Sequence, residues 1–183
     1  MRKGARQRCL ISTISFNLDG TVASTTEFWG VNRSEIGMRI MVVEDEAVIA
    51  LTAVAVLRNA GHEVLPPAYS VDEALALGAE RPDLALVDIN LAGHDEGIAL
   101  ARDLLQRYSI RSLFVSGQVE AGRANRDAAI GLLSKPYDAG SLLASLEAAE
   151  KLLSGGSAPS SPVANGLELF GLPSGQQSEQ HVC

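Results

Sequence analysis

Basic clusters, cysteine pairs, aromatic rings and long apolar runs are all scarce in this 183-residue chain. Fifteen Lys and Arg stand against 22 Asp and Glu, giving a formal charge of −7. Apart from Arg2, Lys3, Arg6 and Arg8 near the start, the basic residues are not clustered, and the chain does not read as a binder of nucleic-acid phosphates. The two cysteines, Cys9 and Cys183, match neither a metal-ligand spacing nor a disulfide framework. No apolar run approaches the roughly 20 residues that span a bilayer. The stretch from Cys9 to Val22 is broken by Ser, Thr, Asn and Asp, which makes a poor signal-peptide core. The expectation is a soluble, cytoplasmic protein with no membrane and no nucleic-acid partner. Aromatics make up only 4% of the residues, while 46% are hydrophobic. The apolar residues are mainly Ala, Leu, Val and Ile, a mix that suits helices packed on a parallel sheet.

From Arg39 onward, strand-like and helix-like patterns alternate. Arg39 to Val43 reads as a buried strand, and Ala47 to Ala60 as a helix stopped by Gly61. His62 to Leu65 is a short strand before Pro66-Pro67. Ser70 is placed to cap a helix running to about Glu80, with Asp72 and Glu73 in its first turn. Asp83 to Val87 is the third strand, and Asp95 is placed to cap the next helix. Ser112 to Val115 is the fourth strand, and Glu120 to Asp127 a weak helix with almost no apolar face. Ala129 to Leu133 is the fifth strand. Asp138 is placed to cap a last helix whose Leu142, Leu146, Ala149 and Leu153 share a stripe. Five such units predict an α/β fold: a doubly wound five-stranded parallel sheet in the flavodoxin-like order 2-1-3-4-5, with helices on both faces.

The expected organisation is an N-terminal extension over 1–37, a βα domain over 38–153 and a tail over 154–183. Met38 stands directly before the first strand, so the native translation start is expected there. The tail is rich in Ser, Gly, Pro and Gln and reads as disordered. Its one apolar knot, Leu167-Glu168-Leu169-Phe170, reads as residual hydrophobicity, with a peptide docking motif as the alternative.

Ligand sites in open α/β sheets lie at the carboxyl ends of the strands. The first strand ends in Glu44-Asp45, the third in Asp88, the fourth in Ser116, and the fifth leads into Lys135-Pro136. The long Lys135 side chain suits a strand two places away from the centre. Three carboxylates in one pocket repel one another and resist desolvation, and a hard divalent cation relieves both. The reading is Mg²⁺ held directly by Asp45 and Asp88, by Glu44 through water, and by the backbone carbonyl of Asn90. Asp88 is then the nucleophile that forms an acyl phosphate, with Lys135 and the cation supplying positive charge and Ser116 a hydroxyl. The three histidines carry no such pattern, although His94 lies in the loop after Asp88.

With these residues in place, the segment from Met38 to about Leu153 resembles a response regulator receiver domain of two-component signalling. The matching residues are Val43-Glu44-Asp45-Glu46, Leu86-Val87-Asp88, Ser116 and Lys135-Pro136. The resemblance implies Asp88 as phospho-acceptor, Glu44 and Asp45 as metal-side acids, Ser116 as switch hydroxyl and Lys135 as phosphoryl contact. It implies a phosphoryl group received from a histidine kinase or a histidine phosphotransfer protein, a cis Lys-Pro bond, and a signalling module in place of an enzyme. Phe114-Val115-Ser116-Gly117-Gln118 is similar to the Phe-Ala-Thr-Gly-Tyr stretch of an alphaproteobacterial receiver subgroup, with Gln118 in place of the aromatic. Leu132 stands where many receivers carry an aromatic that swings inward.

No effector pattern follows Leu153. The expected output is therefore by protein contacts, through the last helix, the fifth strand and the weak fourth helix. Val48 and Ile49 on the first helix are candidate kinase contacts. The alternatives are a phosphate sink and a receiver-like binding module that is never phosphorylated. An enzyme reading rests on Phe16-Asn17-Leu18-Asp19-Gly20-Thr21, which resembles the first motif of haloacid-dehalogenase-type phosphatases. There the position of Asn17 is a nucleophilic Asp, and an amide cannot form the acyl phosphate.

Overall fold

Short, uninterrupted runs of apolar residues fix the sheet. Arg39–Val43 (β3), Leu84–Val87 (β5), Arg111–Ser116 (β6) and Gly131–Ser134 (β7) are buried at nearly every position. A strand apolar on both faces must be covered on both. The helices that cover it are Ala47–Asn59 (α1), Val71–Gly78 (α2), Glu96–Tyr108 (α3), Val119–Ala124 (α4) and Ala139–Leu153 (α5). A two-residue strand, Glu63–Val64 (β4), completes the parallel set. The computed structural model describes residues 12–16, 22–27, 37–156 and 165–172.

The sheet order is β4-β3-β5-β6-β7, all parallel, which is the expected 2-1-3-4-5 arrangement. One apolar layer joins Phe114, Leu132 and Val87 to Ile98, Ala101 and Leu104 of α3. The other joins Ile40, Leu86 and Leu133 to Leu57 of α1 and to Leu142 and Leu146 of α5. Each fully buried Leu, Ile or Phe side chain stabilises by roughly 1.5–3 kcal/mol. These layers hold the strand ends in place against the repulsion of the charges they carry.

Three expectations need correction. The sheet has a sixth strand, Leu167–Leu169 (β8), antiparallel to β7. The tail is therefore not structureless over 165–172; residues 157–164 and 173–183 lie outside the described residues. The reason is tertiary: three residues have little strand tendency alone, but the open edge of β7 supplies unpaired main-chain groups. Glu168 adds ion pairs to Arg123 and Arg126. Gly131 permits the close approach, since a Cβ there would lie 2.7 Å from the Glu168 carbonyl oxygen.

The second correction concerns Asp95. It precedes α3 but accepts no capping hydrogen bond, and its backbone is not extended. The expected caps at Ser70 and Asp138 do form, to the N–H groups of Glu73 (3.3 Å) and Ser141 (2.6 Å). α4 is also shorter than expected, ending at Ala124, and its only buried residue is Gly122.

A separate unit, Met1–Ile36, contains two antiparallel strands, Ser12–Phe16 (β1) and Val22–Glu27 (β2). Residues 17–21, the core of the phosphatase-like motif, lie outside the described residues.

Candidate functional site

The C-terminal ends of β3 and β5 are adjacent because the two strands pair in parallel, Val43 opposite Val87. The chain leaving them is tied as well: the Asp88 N–H donates to the Val43 carbonyl at 3.0 Å. Glu44 and Asp88 are thereby set side by side and are 4% and 8% exposed. Asp45, the next residue, is exposed, and its Oδ2 accepts the Ala92 N–H at 3.0 Å. That bond joins the loop after β3 to the loop after β5. Carboxylate oxygens of Glu44, Asp45 and Asp88 all lie within 4.8 Å of one another.

Lys135 reaches this group from the end of β7. Its Nζ donates to Glu44 Oε2 at 2.5 Å and to Asp88 Oδ2 at 2.7 Å. Its main-chain N–H donates to the Ser116 carbonyl at 3.0 Å, linking the ends of β6 and β7. The following Lys135-Pro136 bond is cis, as the resemblance implies. Ser116 is buried, and its Oγ accepts the Gln118 N–H at 3.3 Å. The hydroxyl thus keeps its own hydrogen to donate. Asn90 is exposed; its N–H donates to Asp88 Oδ1 at 3.1 Å, leaving its carbonyl free of that bond. Glu44, Asp45, Asp88 and Lys135 are thus brought into direct proximity, with Ser116 and Asn90 held at the same end of the sheet. His94 is an exposed loop residue whose N–H donates to Leu91.

Burial pushes the Glu44 carboxyl above its ordinary value, even though Lys135 pulls the other way. Burial would lower Lys135, but its hydrogen bonds to Asp88 and Glu44 outweigh that and raise it. One ammonium therefore faces three carboxylates and does not fully compensate them. An all-oxygen set with surplus negative charge, open to solvent on the Asp45 side, fits a hard divalent cation such as Mg²⁺.

Sequence reasoning missed two contributors. Tyr137, two residues past Lys135, lines the recess beside Glu44 and Asp88 with Ile49 and Ala50. Burial raises its phenol. An aromatic directly after Lys-Pro was the available signal. Gly97, in the first turn of α3, lies against the main chain of Asp88, and a Cβ there would collide with the Asp88 carbonyl. Its N–H donates to the Ile89 carbonyl at 3.1 Å. The signal was a poor helix former placed inside a helix start.

Comparison with known proteins agrees with this fold. The family model described as "Response regulator receiver domain" matches residues 40–147. The chain is similar to the phyllosphere-induced regulator PhyR of Methylorubrum extorquens, 30% identical over 107 residues, which cover 57% of this chain and 40% of that protein. It is also similar to the transcriptional regulatory protein PdtaR of Mycobacterium tuberculosis, 30% identical over 115 residues, covering 61% and 56%. The matched part thus spans well under two thirds of either relative. Among solved structures, the signal receiver domain of a modulated diguanylate cyclase from Desulfovibrio desulfuricans superimposes with a TM-score of 0.58 at 31% identity. That match covers 64% of this chain and 97% of the other.

Proposed function

This chain belongs to the response regulator receiver family, and on that premise we propose that it accepts a phosphoryl group on Asp88, with Mg²⁺, and signals through protein contacts. The observation that carries the reading is the convergence of Glu44, Asp88 and Lys135 from three strand ends, with Asp45 beside them.

The donor is a phosphohistidine on a histidine kinase or a histidine phosphotransfer protein. A carboxylate oxygen of Asp88 attacks phosphorus, the P–N bond breaks, and the imidazole nitrogen takes back a proton. Asn90 N–H holds one Asp88 oxygen and orients the carboxylate. Lys135, already on the other oxygen, lies within reach of the oxygens that arrive. Ser116 donates its free hydroxyl hydrogen to one of them. Asp45 and Asp88, with Glu44 and the Asn90 carbonyl, would hold Mg²⁺, which would supply further positive charge at the phosphoryl oxygens.

Two surfaces support docking. Val48 and Leu51 on α1 are 79% and 54% exposed, and Val48 lines an open groove with Lys135 and Tyr137. They suit the donor protein. The α4, β7 and α5 face suits the output protein. Among the described residues no helix is long and apolar enough to cross a membrane; action in the cytoplasm is part of the proposal.

The test is intact-mass analysis after incubation with acetyl phosphate and Mg²⁺. The wild-type chain is expected to gain one phosphoryl group, and Asp88→Asn none. A wild-type chain that gains nothing would favour a binding module that works unphosphorylated.

A further inference from the structure

β8 is seated on the edge of β7 in a way that recognises particular side chains. Gly131, Leu132 and Leu133 lie opposite Leu169, Glu168 and Leu167. Main-chain bonds run beyond the strand at both ends. The Ser134 N–H donates to the Gly166 carbonyl at 2.9 Å, and the Phe170 N–H donates to the Ile130 carbonyl at 2.8 Å. Alternation along a strand sends Glu168 and Phe170 to one face and Leu167 and Leu169 to the other. On the first face, Glu168 accepts from Arg123 at 2.7 Å and from Arg126 at 3.1 Å. The Arg126 guanidinium also lies over the Phe170 ring, 5.0 Å from its centroid. On the second face, Leu167 packs on the apolar layer shared with α5.

The seat offers main-chain, ionic and apolar contacts, yet its occupant is only partly covered. All three β8 residues remain half-exposed, unlike the buried parallel strands. It is also joined to the rest of the chain through the Ser- and Pro-rich residues 157–164.

We propose that the edge of β7, flanked by Arg123 and Arg126, is a strand-accepting interaction surface. Its partner is an extended segment of another protein, with an acidic residue between two apolar ones and an aromatic next. The chain's own 165–172 segment is a tethered stand-in that shuts this surface in cis. Main-chain pairing gives such a site its affinity, and the side-chain seats give its selectivity. The tether gives the cis strand a high effective concentration, so only a well-matched segment displaces it. This deepens the output surface named above and rests on that reading only for where the partner docks.

The experiment uses the full-length chain and a labelled peptide of residues 165–172, followed by fluorescence anisotropy with no phosphoryl donor present. Glu168→Lys, which opposes Arg123 and Arg126, is expected to free the edge and bind the peptide at least tenfold more tightly than the wild-type chain. A peptide carrying Lys in place of Glu168 is expected not to bind. Adding Arg123→Glu and Arg126→Glu to the Glu168→Lys chain should restore closure in cis and abolish peptide binding. Hydrogen exchange provides a second reading: the Ser134 amide should exchange faster in Glu168→Lys than in wild type. Equal affinity for both chains, indifference to the peptide's charge, or unchanged exchange at Ser134 would overturn the proposal. So would a concentration-dependent wild-type dimer that Glu168→Lys disperses, which would assign the edge to a second copy. Because Asp88 is untouched throughout, failure here leaves the phosphoryl-acceptor reading standing, and the converse also holds.

Discussion

Two groups of ion pairs in this molecule share nearly the same geometry and differ in their surroundings. At the site, Lys135 lies 2.5 and 2.7 Å from Glu44 and Asp88, whose side chains are 6% and 9% exposed. At the sheet edge, Arg123 and Arg126 lie 2.7 and 3.1 Å from Glu168, with side-chain exposures of 49%, 60% and 35%. Distance alone would rank them together. Desolvation separates them, because stripping water from a charge costs far more than a surface pair returns. The buried group is therefore poised: its acids are under-compensated and ready for added positive charge. The edge group is cheap to make and to break, which suits a contact that must open.

The largest way to sharpen this contrast is to remove the buried cation. Lys135→Met leaves Glu44 and Asp88 without a cationic partner, with only the main-chain N–H groups of Glu46 and Asn90 as donors, and is expected to destabilise the fold by about 2–4 kcal/mol, the lower part of the range reflecting partial solvent access. Saturating Mg²⁺ is expected to recover most of that loss. Urea denaturation with and without Mg²⁺ measures both, and a variant as stable as wild type without Mg²⁺ would break the contrast.

A smaller effect is expected from pH. The folded chain holds the Glu44 proton more tightly than the unfolded chain does. Its contribution is therefore complete below the ordinary value of 4.5 and is lost as pH rises through the elevated one. Lys135 is also raised, so its contribution is complete below 10.5 and is lost as pH rises from there through its folded value. In the range above 4.5 and below 10.5 only Glu44 of these two changes charge. Wild type is thus expected to lose stability relative to Glu44→Gln as pH rises across that window, by an amount below the Lys135→Met loss. Parallel thermal melts of the two chains check the sign; a difference that stays constant with pH would contradict it.

The smallest effect belongs to the edge. Arg123→Gln with Arg126→Gln is expected to leave global stability close to that of wild type, with any difference vanishing in molar salt. Chemical denaturation at low and high salt decides this. A large loss that survives salt would place the edge arginines among structural residues.

Much of the site was legible because short apolar runs announce where strands end. Once Met41–Val43 and Leu84–Val87 are buried strands, Glu44, Asp45 and Asp88 have nowhere to sit but their carboxyl ends. Lys135 followed from the same logic at β7. β8 was not legible, since its order depends on an open edge and on two arginines some 40 residues away. The missing cap at Asp95 had a similar origin. The first-turn donor of Gly97 is already given to Ile89, an arrangement made by the close packing of α3 on the Asp88 loop.

That packing at Gly97 limits how the chain can drift. Any codon change away from glycine there adds an atom where the Asp88 carbonyl already sits. The exposed Asp95 and Glu96 just before it are free to vary in charge and size, but they vary about a fixed point, and descendants that keep the acceptor keep the hole beside it.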